Sequence, residues 1–419
     1  MIKAQEYQER RNKLLKNLPE GSLLLLFGGS LKTASADQSY DFVVNRNFYY
    51  LTGIDQEDSI LALVKAYDEI IELLFIDEKD EHKEKWTGLK LSIEDARATS
   101  GIQNVLLNNS FEGKLEAILD PVNGIYGAVK EVYLDLEMEQ KYLNKYNAKE
   151  YANELLKKYN SISVYDIYKL IAKQRMIKSK AEVAMIKDAI ATTELGLNNV
   201  LRIMEPGKFE YNLRNMFEFI VHEDMQAGLA FPTIVASGKN GVILHYPNAT
   251  DMLESDQLVL MDCGASKGYY CADISRTYPI SHKFTELERK IYQIVLDCNK
   301  ETMNFMRPGV TLQEVKDFAR NFLATECVEK GLIASKDEIG RVYYHGCSHH
   351  LGLDTHDVSD TLDKPLEPGN IITCEPGLYF KEFGIGVRIE DDVLITETGH
   401  DNLSKNIIKE IADIENFLK

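Results

Sequence analysis

Hydrophobic positions in the first part of the chain gather into short apolar runs separated by polar stretches. SLLLLF at 22–27, SILALV at 59–64 and the run at 70–76 have the length and residue types of strands. A helical pattern at 3–17 precedes them, a second helix is predicted at about 137–158, and the apolar-periodic segment 164–173 closes the region. Strand and helix patterns in alternation predict an α/β layer. The charged stretch 78–87 reads as an exposed loop, with the single tryptophan, Trp86, near its end.

From Ser179 the pattern becomes helical and then repeats. Ser179 and Glu182 form a capping box ahead of a long helix with Val183, Ile186, Ile190, Leu197 and Leu201 on one stripe. That helix stops at Pro206-Gly207, and another is expected over about 209–225. Thr285 with Glu288, a stop at Pro308-Gly309, and Thr311 with Glu314 repeat the arrangement, the two Pro-Gly stops lying 102 residues apart. Gly-punctuated strands follow each helix pair. The pattern therefore predicts an internal duplication, two α-α-β halves forming one domain with any site between them. The expected organisation is an α/β N-terminal domain over 1–173 and an α+β catalytic domain over 174–419 with a pseudo-twofold internal repeat.

In the first repeat, LVLMDCGASKGYYCADISR (258–276) reads as a hairpin. A turn centred on Lys267 and Gly268 places Asp262 directly opposite Asp273, about 5 Å apart at Cβ. Carboxylates that close repel unless they share a proton or a cation. Later the chain carries four histidines within YYHGCSHHLGLDTHD (343–357), then Glu375 in ITCEPG and Arg388, Glu390, Asp391 and Asp392 in VRIEDD. Asp262, Asp273, His349, Glu375 and Glu390 together carry a charge of about −4, which two divalent cations balance, and oxygen-rich ligation favours hard ions such as Mn²⁺. Two such ions can share and activate a water.

Composition narrows the partners. A length of 419 residues exceeds the usual single core, and a net charge of −18 argues against nucleic acid or an anionic membrane as the main partner. No signal-peptide or membrane-spanning run is visible, and six cysteines without a CxxC pair suggest free thiols in a reducing compartment, hence a cytoplasmic protein. Cys263 and Cys374 adjoin candidate ligands and are expected to point to the opposite face.

At these residues the chain resembles the pita-bread metallopeptidases, and within them the aminopeptidase P branch. The spacing of Asp262 and Asp273, the full D…D…H…E…E set and the N-terminal SADQSYDFVVNRNFYYLTGI carry the resemblance over nearly the whole chain. It implies that Asp262 chelates one ion, that Asp273 and Glu390 bridge both, and that His349 and Glu375 complete the second. It further implies that Glu375 takes the proton of a bridging water. His245 would interact with the scissile-bond region, while His356 would steady the gem-diolate and relay protons. His345, Tyr379 and Arg388 would form the pocket for the substrate proline. Plain packing for Tyr379 and a supporting ion pair to a ligand for Arg388 are the alternatives. His350 is expected to face away from the ions, and Asp391 and Asp392 to be solvated or to lie behind the ligands.

The implied reaction is release of the N-terminal residue from peptides with proline second, by a hydroxide between two divalent ions. The rival readings are an Xaa-Pro dipeptidase of the same fold and a metal-free binding module. A methionine aminopeptidase is disfavoured by the large N-terminal domain. The resemblance also implies a homodimer or homotetramer, with Asp37 and Trp86 near a neighbouring subunit's site.

Overall fold

Four leucines and a phenylalanine in succession have no face to offer water, so β1 (Ser22–Phe27) lies buried on both sides inside a sheet. The protein, described by a computed structural model over residues 2–67, 69–136, 148–359 and 363–419, divides into two compact units, Ile2–Arg175 and Met176–Lys419. In the first unit β1 joins β2 (Ile60–Lys65), β3 (Ile70–Ile76), β4 (Asn104–Leu107), β5 (Glu131–Leu134) and β6 (Ser163–Asp166) in the order β4-β3-β2-β1-β5-β6. The sheet is mixed: β1 runs antiparallel to β2 and parallel to β5. Leu23, Leu25, Phe27, Phe75, Phe111 and Tyr151 pack in its core. The helix expected at 3–17 is α1 (Ala4–Leu15).

Three expectations for this unit need correction or qualification. Residues 81–87 of the presumed loop form a helix, α2 (Glu81–Thr87), started by the Asp80 carboxylate accepting the His82 N–H. Hydrophobic periodicity reports burial, and a helix this exposed and charged leaves no such trace. The segment 164–173 is half strand: β6 ends at Asp166, and α4 (Tyr168–Arg175) follows α3 (Ala148–Lys158) in the helix count. An edge strand of four mostly exposed residues shows no alternation to read. Helix α3 covers the later part of the helix expected at 137–158; residues 137–147 lie outside the described residues.

The second unit follows the predicted duplication. The Ser179–Glu182, Thr285–Glu288 and Thr311–Glu314 capping boxes are formed at the starts of α5 (Lys180–Ile203), α7 (Glu286–Phe305) and α8 (Leu312–Glu329) respectively; α6 (Glu210–His222) completes the first pair. Each repeat then supplies one long, kinked β-hairpin. In the first, β8 (Leu258–Cys263) pairs with β11 (Ile274–Pro279), and beyond the kink β9 (Ala265–Lys267) pairs with β10 (Tyr270–Cys271); β7 (Ile234–Ser237) flanks β8. One register runs through both parts, with the Ala272 N–H donating to Ala265 O between them. In the second, β12 (Ile371–Cys374) pairs with β15 (Asp391–Ile395), and β13 (Gly377–Phe380) with β14 (Ile385–Arg388), again in one register.

The first hairpin turns one residue later than expected. Gly268 and Tyr269 both have positive φ (50° and 69°), as a two-residue primed turn requires. Asp262 consequently faces Ser275 rather than Asp273. A slip of two in pairing preserves the side-chain face, so both carboxylates keep to one side. At the kink, Gly264 is obligatory: a Cβ there would lie 1.9 Å from Ala272 O.

Where the hairpins kink, their ladders open and the freed groups find partners outside their own hairpin, two of them across the repeats. The Glu390 N–H donates to Ser275 O at 3.0 Å, the Asp273 N–H to Asp392 Oδ2 at 3.2 Å, and the Glu375 N–H to Cys347 O at 2.9 Å. The candidate carboxylates sit at these openings.

Candidate metal centre

Asp262 is the penultimate residue of β8, and Asp273 immediately precedes β11. Glu375 immediately follows β12, and Glu390 immediately precedes β15. The fifth candidate, His349, comes from a segment laid antiparallel along β12: the Leu351 N–H donates to Ile371 O, the Thr373 N–H to His349 O, and the His349 N–H to Thr373 Oγ1. Alternation along this segment turns His349 toward the carboxylates and His350 away.

The five side chains converge. Ligand atoms of Asp273, His349 and Glu390 all lie within 4.8 Å of one another. His349 Nε2 is 3.3 Å from Asp273 Oδ2 and 3.6 Å from Glu375 Oε1. The Ser275 hydroxyl, unremarked from sequence, reaches Glu390 Oε2 at 2.7 Å and Asp262 Oδ1 at 3.1 Å, tying the repeats together. Its position two residues after Asp273 on one strand was the signal that could have found it.

Crowded acids this deep are electrostatically unsatisfied. Burial first, and then the Asp262 charge, push the Asp273 carboxyl up; burial and the Asp273 and Glu375 charges push Glu390 well above the usual range. Glu375 rises to about 7, chiefly through burial. Burial alone would lower His349, but its hydrogen bond to Asp273 and the Glu375 charge lift it to about 9. Four mutually repelling carboxylates beside one imidazole nitrogen, gathered in a largely buried pocket, are the donor set of hard divalent cations, and such ions relieve the repulsion among the acids. The residues present fit that group.

Beside the acids runs a second chain of contacts. Arg388 donates through Nη2 to Asp262 Oδ2 at 2.7 Å, through Nε to Ser275 Oγ at 2.7 Å, and through Nη1 to the Tyr379 hydroxyl at 3.1 Å. The Tyr379 hydroxyl pairs with His345 Nε2 at 2.8 Å, and His345 Nδ1 lies 2.5 Å from Gly346 O. Burial and the Arg388 charge hold His345 down at about 4. It is therefore neutral near pH 7, with Nδ1–H donating to Gly346 and Nε2 accepting from Tyr379. His356 stands edge-on to His349, ring centroids 4.4 Å apart. His245 is exposed on the turn after Gly238–Val242.

Behind the strands the supports are also buried. Asp391 pairs with Arg276 (2.9 Å) and Lys409 (2.6 Å), and Asp392 is fully buried, so neither is solvated. Asn299, from the middle of α7, donates to the carbonyls of Cys374 and Ile389, each the residue before a candidate ligand. All six cysteines are free and buried, and Cys374 packs into a hydrophobic cluster with Met303, Val315 and Ile372. His350 is buried, its ring held neutral by burial and by Lys178.

Two repeated hairpins closing on a cluster of acids and one histidine define a metallohydrolase of duplicated fold. The model of metallopeptidase family M24 matches residues 184–397, and that of the aminopeptidase P N-terminal domain matches residues 7–126. The chain belongs to metallopeptidase family M24, with an aminopeptidase P N-terminal domain. It is 33% identical to the Xaa-Pro aminopeptidase of Escherichia coli, over 99% of this chain and 97% of that protein. Identity to the Haemophilus influenzae Xaa-Pro aminopeptidase is 32%, over 99% and 97% respectively. Among solved structures, aminopeptidase P from Escherichia coli with the inhibitor Pro-Leu superposes with a TM-score of 0.89 at 30% identity, over 100% of this chain and 98% of that one. A Bacillus anthracis chain gives 0.95 at 40% identity, over 100% and 98%.

Proposed function

We propose that this metallopeptidase releases the N-terminal residue from peptides whose second residue is proline. The observation that carries the reading is the convergence of Asp262, Asp273, His349, Glu375 and Glu390 where the two hairpins open, in a chain whose full-length relatives are named Xaa-Pro aminopeptidases. In this reading Asp262, Asp273, His349, Glu375 and Glu390 would hold two divalent ions, Asp262 on one, His349 and Glu375 on the other, with Asp273 and Glu390 common to both; Mn²⁺ would suit the oxygen-rich set. Bound ions supply a lowered water pKa and polarisation of the scissile carbonyl.

The chain's own groups do the rest. Glu375 Oε accepts the proton of the attacking water, a task that suits a carboxylate lifted toward neutrality. The neutral His345, Tyr379 and Arg388, locked to one another, present a rigid wall to the proline ring. The bond to proline is a tertiary amide with no N–H; once water has added to its carbonyl, the C–N bond breaks as the proline nitrogen gains a proton, which His356 delivers, and leaves as an amine. His245 faces the scissile-bond region.

The relatives' names favour this activity over the dipeptidase reading, and the complete ligand set favours it over a metal-free binding module. Free cysteines support a cytoplasmic setting, and no helix among the described residues is long and apolar enough to cross a membrane. Trp86, 81% exposed, and the exposed Asp37 support contact with a second copy in a homodimer or homotetramer. Product analysis on Xaa-Pro-Yaa tripeptides, with and without Mn²⁺, tests the reading against matching Xaa-Pro dipeptides. Release of Xaa from tripeptides, strongly slowed in His356→Ala, is expected. An enzyme that cleaves only the dipeptides overturns it.

A further inference from the structure

Tyr379 faces two spaces. One side belongs to the His345–Arg388 chain described above; the other lines a separate cavity of about 600 Å³. Its apolar wall is Val242, Ile243 and Tyr344, the last with its ring 5.1 Å from that of Tyr379 and its hydroxyl bonded to Val242 O. Around it stand three cations, Lys239, Arg341 and Lys381, and among the described residues no carboxylate lines it. Two of the cations have distant or exposed partners outside the lining: Lys239 is 3.8 Å from Asp251, and Arg341 pairs with Glu338 at the surface. Lys381 has no ion-pair partner among the described residues. In a protein of net charge −18, three cations bordering one hollow, of which among the described residues only Lys239 and Arg341 have an acidic partner and that outside the lining, leave its rim net positive, against the sign of the whole molecule.

We propose that this cavity is a carboxylate-binding subsite for the part of the peptide downstream of the proline. The inference rests on the reading of Tyr379 as part of the proline wall, which makes the adjoining cavity the next stretch of the substrate's path. An apolar wall takes the side chain after proline, and the three cations take a carboxylate beyond it. That carboxylate is either the free C-terminus of a short peptide or an acidic side chain. The subsite thereby gives the enzyme a preference for short or acidic peptides, which the metal centre alone cannot express.

The test compares three substrates: Ala-Pro-Leu as free acid, Ala-Pro-Leu amide and Ala-Pro-Glu amide. Each is assayed with the Mn²⁺-loaded wild type and with the Lys239→Ala/Arg341→Ala/Lys381→Ala variant, at low salt and in 0.5 M NaCl. Exposed ion pairs of this kind together correspond to about a five- to twenty-fold advantage in kcat/KM for the carboxylate-bearing substrates over the amide. The expected result is that advantage in the wild type, shrinking with salt and falling toward one in the variant. An advantage for Ala-Pro-Leu alone assigns the subsite to chain termini; one for Ala-Pro-Glu amide assigns it to acidic side chains. Equal acid and amide rates in the wild type, or a ratio unchanged in the variant, overturn the proposal. Binding of Pro-Leu free acid against Pro-Leu amide, followed by calorimetry on both proteins, reads the subsite independently of turnover. Unhydrolysed substrates with preferential acid binding would therefore reject the proposed activity and keep the subsite, whereas equal binding in both proteins rejects the subsite.

Discussion

Replacing Asp391 by asparagine isolates the buried support of the metal centre. Asp391 is fully buried, bonded to Arg276 at 2.9 Å, Lys409 at 2.6 Å and Ser404 at 2.7 Å. Arg276, also fully buried, meanwhile donates to the carbonyls of Ser275 and Glu390, the residue beside each opening. The substitution removes a charge but almost no volume, so packing is unchanged while two cations lose their counter-charge. Breaking a buried pair on one side costs about 3–5 kcal/mol. For a unit of this size, that corresponds to a fall of roughly 6–20 °C in the transition that reports the second unit. Burial alone would raise the Asp391 carboxyl, but Arg276 and Lys409 outweigh it and hold it well below the usual carboxylate range. A depressed carboxyl contributes stability that is present above its unfolded value near 4 and lost as pH falls through the folded value. The wild type should therefore lose stability below about pH 4 more steeply than Asp391→Asn. Differential scanning calorimetry between pH 3 and 8, with Mn²⁺ titrations at pH 7.5, measures both effects. A loss below about 1 kcal/mol with unaltered ion binding would refute the argument, because it would show that neither cation depends on Asp391.

Arg388→Lys keeps the charge but cannot reach Asp262, Ser275 and Tyr379 at once; kcat/KM should fall about 10- to 100-fold while folding, followed by circular dichroism, is retained. Ions must displace the protons that the ion-free site holds, on Glu375 near 7 and His349 near 9, so apparent Mn²⁺ affinity should weaken by about tenfold or more per pH unit as pH falls below 7, as read by calorimetry. Removal of the ions by chelation should abolish activity and lower the thermal transition, with both restored by Mn²⁺; at 100 times Kd the ions contribute about 2.7 kcal/mol. Gly264→Ala forces a methyl against Ala272 O at the kink, and a loss of several kcal/mol, or no soluble protein, is expected in expression and melting assays.

Much of this architecture was legible because its signals are local. Ser179–Glu182, Thr285–Glu288 and Thr311–Glu314 announce helix starts by side-chain chemistry that needs no tertiary partner, and the Pro-Gly stops repeat with them. The acids and His349 stood out because such residues in β-rich runs have few structural uses. What stayed hidden depends on the third dimension. The turn at Gly268–Tyr269 put a tyrosine in a left-handed conformation, which residue type alone disfavours, and so shifted the pairing. Ser275 and Asn299 are ordinary polar residues whose telling partners are distant in sequence: Ser275 reaches Glu390 in the other repeat, 115 positions on, and Asn299 reaches Cys374, 75 positions on. Helix α2 and strand β6 escaped notice because little of either is buried, so neither leaves a hydrophobic rhythm.

The unbroken register of the two bent hairpins has a consequence for stability. Each arm carries only two of the four acids, Asp262 and Asp273 on one and Glu375 and Glu390 on the other, so a cation held by all four would need both arms in place. An ion held between the arms would therefore join the two halves of the unit, so that its loss should loosen both halves together rather than one of them.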